Sequence, residues 1–133
     1  MEVISLICWV LAASCNAVMD TLAHHYPTSI FTKWDPQFWN PAISWKNKYK
    51  EGIKAYGPAF FLSTGMLVLF TDGWHLFKSM MIVLIGIAIV TFPYSIEICI
   101  FSSSFLNGLL YLSILGVLWN VPFSYFYNNV LKK

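Results

Sequence analysis

Arginine is absent from this 133-residue chain, and charge of either sign is scarce: eight Lys and six Asp or Glu make up 11% of it. A soluble domain carries about 25% charged residues. Small domains also leave much of their surface in water, so a chain that is 58% hydrophobic, with a mean hydropathy of +0.64, cannot cover itself. The same numbers exclude disorder. Eight scattered Lys without Arg form no basic face, which excludes nucleic acid as a partner. Cysteine is sparse too. Cys8, Cys15 and Cys99 lie in apolar stretches, are odd in number and lack ligand spacing. These features argue against a disulfide framework or a cysteine zinc site and for small buried hydrophobes. There is no internal repeat and no low-complexity tract. What remains is an all-α polytopic integral membrane protein, with residues 1–133 as a single membrane domain.

Charge-free stretches cover residues 3–19, 55–71, 79–96 and 98–131. A membrane helix needs about 20 apolar residues, within a range of about 17–25. Val3 to Met19 therefore reads as a spanning helix. It is not read as a secretion signal, because Glu2 stands where a positive n-region belongs and Leu11–Cys15 only loosely resembles a cleavage box.

Between Asp20 and Lys54 the character changes. This segment holds five of the eight Lys, together with Pro27, Pro36, Pro41 and three Trp. Trp34, Trp39 and Trp45 alternate with polar residues, a pattern suited to the headgroup level. Residues 28–54 are expected as one or two short amphipathic helices on the membrane surface. Asp35 before Pro36 and Asn40 before Pro41 each read as an N-cap followed by proline at the first helical position. Pro58 is expected to start a further helix to about Phe70, Pro93 to end the next one, and Asn120 and Pro122 to close the last.

Two topologies compete. Four helices could cross, at about 3–20, 57–71, 75–93 and 97–119. Alternatively, 57–71 dips into the membrane and returns, leaving three crossings. With Lys33–Lys54 on the cytoplasmic side, four crossings place Lys78, Lys132 and Lys133 outside, whereas three keep all eight Lys inside. Against three, a 17-residue helix rises about 25 Å, close to a full crossing. The charge distribution favours three crossings in the plasma (inner) membrane, and both topologies put the N-terminus outside.

Six acidic and three imidazole side chains can be weighed one by one. Asp20 and His24 are four apart, and Asp72 and His75 three apart, so each pair shares a face if helical. Imidazole nitrogen with carboxylate oxygen from two rigid elements suits a divalent cation such as zinc. In the three-crossing fold the pairs lie at one face and can meet; in the four-crossing fold they cannot. The alternatives stay open. Asp20 can simply end a span in water, His24 and His25 can be interfacial, and Asp72 can cap a helix with Gly73 easing the turn. Lys78 could pair with a lipid phosphate or with Asp72. Glu97, near a helix start, either complements the dipole or lines a proton or ion path. Ser102–Ser104 with Asn107 and Gly108 form a polar stripe suited to helix packing. No hydroxyl has His and Asp partners at nucleophile spacing.

Three strings stand out: Asp20-x-x-x-His24-His25 leading into Ser29-Ile30-Phe31; Phe38-Trp39-Asn40-Pro41-x-x-Ser44-Trp45-x-Asn47-Lys48-Tyr49; and Thr71-Asp72-x-Trp74-His75-x-x-Lys78. Together they resemble an uncharacterised group of small bacterial integral membrane proteins. That resemblance implies membership and implies that the strings belong together, but it carries no mechanism. From the residues, the first expectation is a metal-dependent hydrolase or transferase on a lipid or headgroup substrate. Asp20, His24, Asp72 and His75 would be its ligands, and His25 or Glu97 its base, while Lys46, Lys48 and Lys50 attract anionic heads. The second is a non-enzymatic accessory subunit docked on a partner membrane protein or the bilayer. The third is a homo-oligomeric conductor of ions or small solutes lined by Glu97.

Overall fold

The computed structural model describes residues 2–92 and 100–132, apart from the side chain of Glu2. It is helical, and among the described residues only two isolated antiparallel bridges interrupt that character. Three helices are long and apolar enough to cross a membrane: α1 (Glu2–His25), α4 (Gly73–Val90) and α5 (Ser104–Tyr125). Two single-turn helices, α2 (Pro36–Trp39) and α3 (Pro41–Ser44), lie in the connection between α1 and α4.

Helix α1 is the packing centre, since it contacts both α4 and α5. Its small residues Ala12, Ala13 and Ala17 are fully buried, which lets neighbouring backbones approach closely. Two polar anchors fix the register. Ser5 Oγ donates to the Ala88 carbonyl of α4 at 2.8 Å, and Trp9 Nε1 donates to the Leu115 carbonyl of α5 at 3.0 Å. Trp9 also meets Trp119 edge-on at 5.3 Å. The outward faces of α4 and α5 stay apolar and exposed, as at Val83, Val90, Phe105 and Leu112. Cys8 and Cys15 are buried free thiols, as their apolar neighbours implied; Cys99 lies outside the described residues.

Several boundaries depart from the sequence reading. Helix α1 runs on to His25, so Asp20 and His24 do share a helix. Pro122 does not close α5. The helix continues through it to Tyr125 and a π-turn at Phe126–Val130, the ring costing one intrahelical bond. Pro58 starts no helix, and residues 57–71 form no fourth long apolar helix. Instead, Lys50 N–H donates to the Gly57 carbonyl and Ala59 N–H to the Lys48 carbonyl, so 48–59 closes as a bridged loop. Gly57 and Leu62 have positive φ, and only a short 3-10 stretch, Met66–Phe70, follows. Pro93 lies outside the described residues.

The connection between α1 and α4 is not one or two helices but a chain of short α and 3-10 turns. Asp35 and Asn40 cap α2 and α3 as expected, accepting from the Gln37 and Ala42 amides at 2.9 and 3.0 Å, with Pro36 and Pro41 at the first helical positions. Phe31, only 2% exposed, stacks on Trp39 at 4.9 Å and joins Ala17, Val18, Leu22 and Leu131 in the core. Ile30 N–H donates to the Leu131 carbonyl, tying the connection to the segment after α5. The end of α1, the start of α4 and the end of α5 therefore share one end of the bundle, and seven of the eight Lys belong to this end (33, 46, 48, 50, 54, 78 and 132).

Candidate functional site

At the start of α4 the chain solves two problems with one carboxylate. Asp72 is extended (φ −161°, ψ 160°) and accepts the His75 backbone N–H at 2.9 Å, as an N-cap does. Both carboxylate oxygens also lie 2.8 Å from His75 Nδ1. The Thr71 hydroxyl stands 3.1 Å from Oδ2, and the carboxylate is almost wholly buried. Burial alone would raise its pKa. The side-chain and backbone bonds from His75, the attraction of its ring and the Thr71 hydroxyl together hold it below the ordinary value.

An ionised carboxylate on Nδ1 fixes the ring and leaves Nε2 turned away from it. The group facing Nε2 is Lys48, whose Nζ is 3.5 Å away. The His75 side chain keeps 20% exposure while Asp72 keeps 4%, so the carboxylate is shielded and the ring is accessible. Trp74 meets the ring edge-on at 5.0 Å.

Lys48 is placed by a polar network from the middle of the connection. Asn47 Nδ2 donates to the Thr71 carbonyl at 2.8 Å and to the Gln37 carbonyl at 2.7 Å, while Gln37 Nε2 donates back to Asn47 Oδ1. The buried Ser63 hydroxyl donates to the Lys48 carbonyl at 2.7 Å. Trp39 closes the other side by packing over Gly73. A Cβ there would lie 2.7 Å from Trp39 Cε3, so Gly73 is required for close approach rather than for turning the chain. The second and third sequence strings thus meet at Asn47–Thr71, Lys48–His75 and Trp39–Gly73. The first reaches them through Phe31 on Trp39.

The other expected ligands are placed differently. Asp20 and His24 share a face of α1, but no group of three or more His, Cys, Asp or Glu side chains able to hold a metal is gathered among the described residues. The four-residue set Asp20, His24, Asp72 and His75 is therefore joined only as far as its second pair. His24 is exposed, and His25 packs edge-on against Tyr127 at 5.4 Å. Glu97 lies outside the described residues. Among the described residues Lys78 pairs with neither Asp72 nor another acid. Its Nζ sits 5.0 Å over the Trp74 ring, reaching back along α4. Asn107 does not line a helix contact but clasps the chain before α5 through the Phe101 amide and carbonyl, and Gly108 has open space beside it.

The Lys48–His75 contact, 27 residues apart in sequence, was the part that spacing did not reveal. The signal for it in the sequence was that Lys48 and His75 lie in two of the three strings that share one resemblance. No family model, curated protein or solved structure matches the chain.

Proposed function

We propose that the protein is an integral membrane protein with its lysine-bearing end on the cytoplasmic side of the plasma (inner) membrane. There the Asp72–His75–Lys48 cluster would bind an anionic, phosphate-bearing lipid headgroup and transfer a proton on it. The observation that carries this reading is the pairing of a carboxylate-held imidazole with a lysine at its open nitrogen. Lys48 supplies a point charge for phosphate, and His75 Nε2 supplies the lone pair of a general base. Water or a substrate hydroxyl would give its proton to Nε2 as its oxygen attacks the phosphorus, and Asp72 would stabilise the resulting imidazolium. The imidazolium would return the proton to the departing ester oxygen as the old P–O bond breaks. A hydrolase or transferase acting on the headgroup follows from that pairing. Lys48 Nζ, 3.5 Å from Nε2, would turn to the phosphate to open that nitrogen to a hydroxyl. The same positive charge would repel a divalent ion such as zinc, which favours the metal-free imidazole.

Three features support the setting. Three helices have the length and apolarity of spans. The lysines gather at one end, as the positive-inside rule requires of a cytoplasmic face. Phe61 and Met66, each 80% exposed, belong to the loop at that same end, where a bilayer surface would cover them.

The test uses purified protein in nanodiscs containing phosphatidic acid or phosphatidylglycerol, with lipid products followed by mass spectrometry. His75→Asn keeps a side-chain donor near Asp72 but has no Nε2, so it should bind the anionic lipid and fail to turn it over. Lys48→Ala should weaken binding. Turnover unaffected by His75→Asn, or lipid binding indifferent to Lys48→Ala, would overturn the assignment.

A further inference from the structure

Beside this cluster the bundle holds a groove of about 940 Å³, walled by α1 at Val10 and Ser14, by α4 at Leu76, Met80 and Leu84, and by Val130 after α5. Its lining is apolar. The Ser14 hydroxyl is already committed to the Val10 carbonyl at 3.0 Å. Phe31 and Trp34 contribute the wall at the lysine-bearing end. Ser79, which also lines the groove, is four residues after His75 and therefore lies one turn below it on the same face of α4. From Leu76 to Leu84 the lining follows α4 for eight residues, a rise of about 12 Å. One leaflet of the hydrocarbon core is about 15 Å deep, half of the full thickness.

From this placement we infer that the groove holds one hydrocarbon chain of the same anionic lipid whose head sits at Lys48 and His75. The inference rests on the headgroup reading above and extends it by assigning a binding place to the acyl chain of that lipid. Lys48, in contact with His75 one turn above the groove residue Ser79, matches the charge of the head, the apolar walls match the chain, and the length fits a single leaflet. Because Val83 lines the groove and is also 59% exposed, the groove is open on its outer side, and the chain enters sideways from the bilayer.

The experiment uses full-length protein in phosphatidylcholine nanodiscs with a minor fraction of phosphatidic acid carrying a diazirine midway along one acyl chain. Photolysis should place cross-links on the α1 and α4 residues that line the groove. Val83→Trp and Leu84→Trp, which fill the groove, should lower the cross-link yield about tenfold, equivalent to about 1.4 kcal/mol. Ile82→Trp is the control, because Ile82 is as exposed as Val83 but lies outside the groove. Size exclusion and circular dichroism confirm that each variant is folded. Two filling variants are used so that one misfolded protein does not decide the question.

Cross-links spread evenly over the outer faces of α4 and α5, or unchanged by both filling variants, would overturn the groove assignment. Lys48-dependent binding of phosphatidic acid in the same discs would then leave the headgroup reading standing. Groove cross-links indifferent to Lys48→Ala would overturn both, since head and chain would no longer belong to one molecule. Cross-linking of groove residues to a second copy of the chain would give the groove to an oligomer and also overturn the proposal.

Discussion

Gly73→Ala is the substitution that most directly tests how the connection is seated on the bundle. Two effects oppose each other. Alanine is favoured over glycine inside a helix by about 1 kcal/mol, and by less at the first helical position. Against that, the new Cβ would stand 2.7 Å from Trp39 Cε3, 3.0 Å from Cζ3 and 3.4 Å from Leu22 Cδ1. Carbon atoms prefer about 3.5–4.0 Å, so the indole must retreat by about 1 Å. It has little freedom to do so. Trp39 is stacked on Phe31 at 4.9 Å with an interplanar angle of 8°, and Trp34 and Phe38 meet it edge-on at 4.7 and 5.3 Å. Overpacking of this kind costs about 1–3 kcal/mol, so the clash should win by about 1–2 kcal/mol. The assay is thermal unfolding in detergent, run as a cycle with Trp39→Phe, which removes the ring atoms nearest Gly73. Gly73→Ala should lower the melting temperature in the wild-type background and cost much less in the Trp39→Phe background, with a coupling of about 1 kcal/mol or more. Equal losses in both backgrounds, or a stabilised single variant, would refute the close-approach reasoning. Headgroup binding should fall along with stability, because a displaced Trp39 disturbs α2 and, through Gln37 and Asn47, the placement of Lys48.

The same site yields further outcomes. Asp72→Asn should keep most of the helix cap, since Asn caps as well as Asp, whereas Asp72→Ala should lose about 1 kcal/mol from the cap alone; chemical denaturation ranks the two. Nitrogen-15 spectra of the His75 ring should show a proton on Nδ1 in the wild type, and this preference should weaken in Asp72→Asn, where an amide NH₂ replaces one acceptor. Because the Asp72 carboxyl is held below its ordinary value in the folded protein, its stabilising contribution is complete above the unfolded pKa of about 3.9 and disappears as pH falls through the lower folded value. An acid titration of stability should show that loss in the wild type and lack it in Asp72→Asn. Asn47→Ala should cost about 1–3 kcal/mol by removing its bonds to the Thr71 and Gln37 carbonyls, read as a lower melting temperature. Elemental analysis after zinc supplementation should find equal zinc in the wild type and His75→Asn; metal lost only from the variant would restore the metal-centre expectation.

The long apolar helices were legible because a charge-free run of about 18 residues is a crude and robust signal, and α1 and α4 fell close to where the charges placed them. The capped turns at Pro36 and Pro41 were legible for a local reason: an Asx side chain and a following proline fix two dihedrals and one hydrogen bond without tertiary help. The apolar run at 57–71 left three and four crossings open because hydropathy does not distinguish a span from a loop. The lysine distribution favoured three, and the helix expected from Pro58 is what the structure lacks. What breaks the helix there is partly local, at Gly57 and Pro58. The rest is tertiary, in the Ser63 hydroxyl on the Lys48 carbonyl and the bridge between Tyr49 and Pro58. The Asp72–His75 pair was visible at helical spacing, but its partner was not. Spacing along a helix names residues on one face; it does not say which face another element will cover.

The joining of these parts bears on why the polar cluster sits where it does. A carboxylate at the first turn of α4 is favoured by the helix dipole and by the amides it caps, so Asp72 can remain ionised although nearly buried. Once ionised, it orients His75 without any further acid. Lys48 reaches that ring from the connection, whose short capped turns place Asn47 to bridge Gln37 and Thr71 beside it. Breaking this bridge with Asn47→Asp makes the argument sharp. The carboxylate keeps the shape of Asn47 but offers no donor to the Thr71 and Gln37 carbonyls, and it sets a negative charge against two acceptors. The connection should loosen, and binding of phosphatidic acid should fall toward the level of Lys48→Ala while α1, α4 and α5 keep their helical circular dichroism. Undiminished lipid binding in that variant would mean that Lys48 finds the headgroup without being held, and the connection would then have no role in building the site.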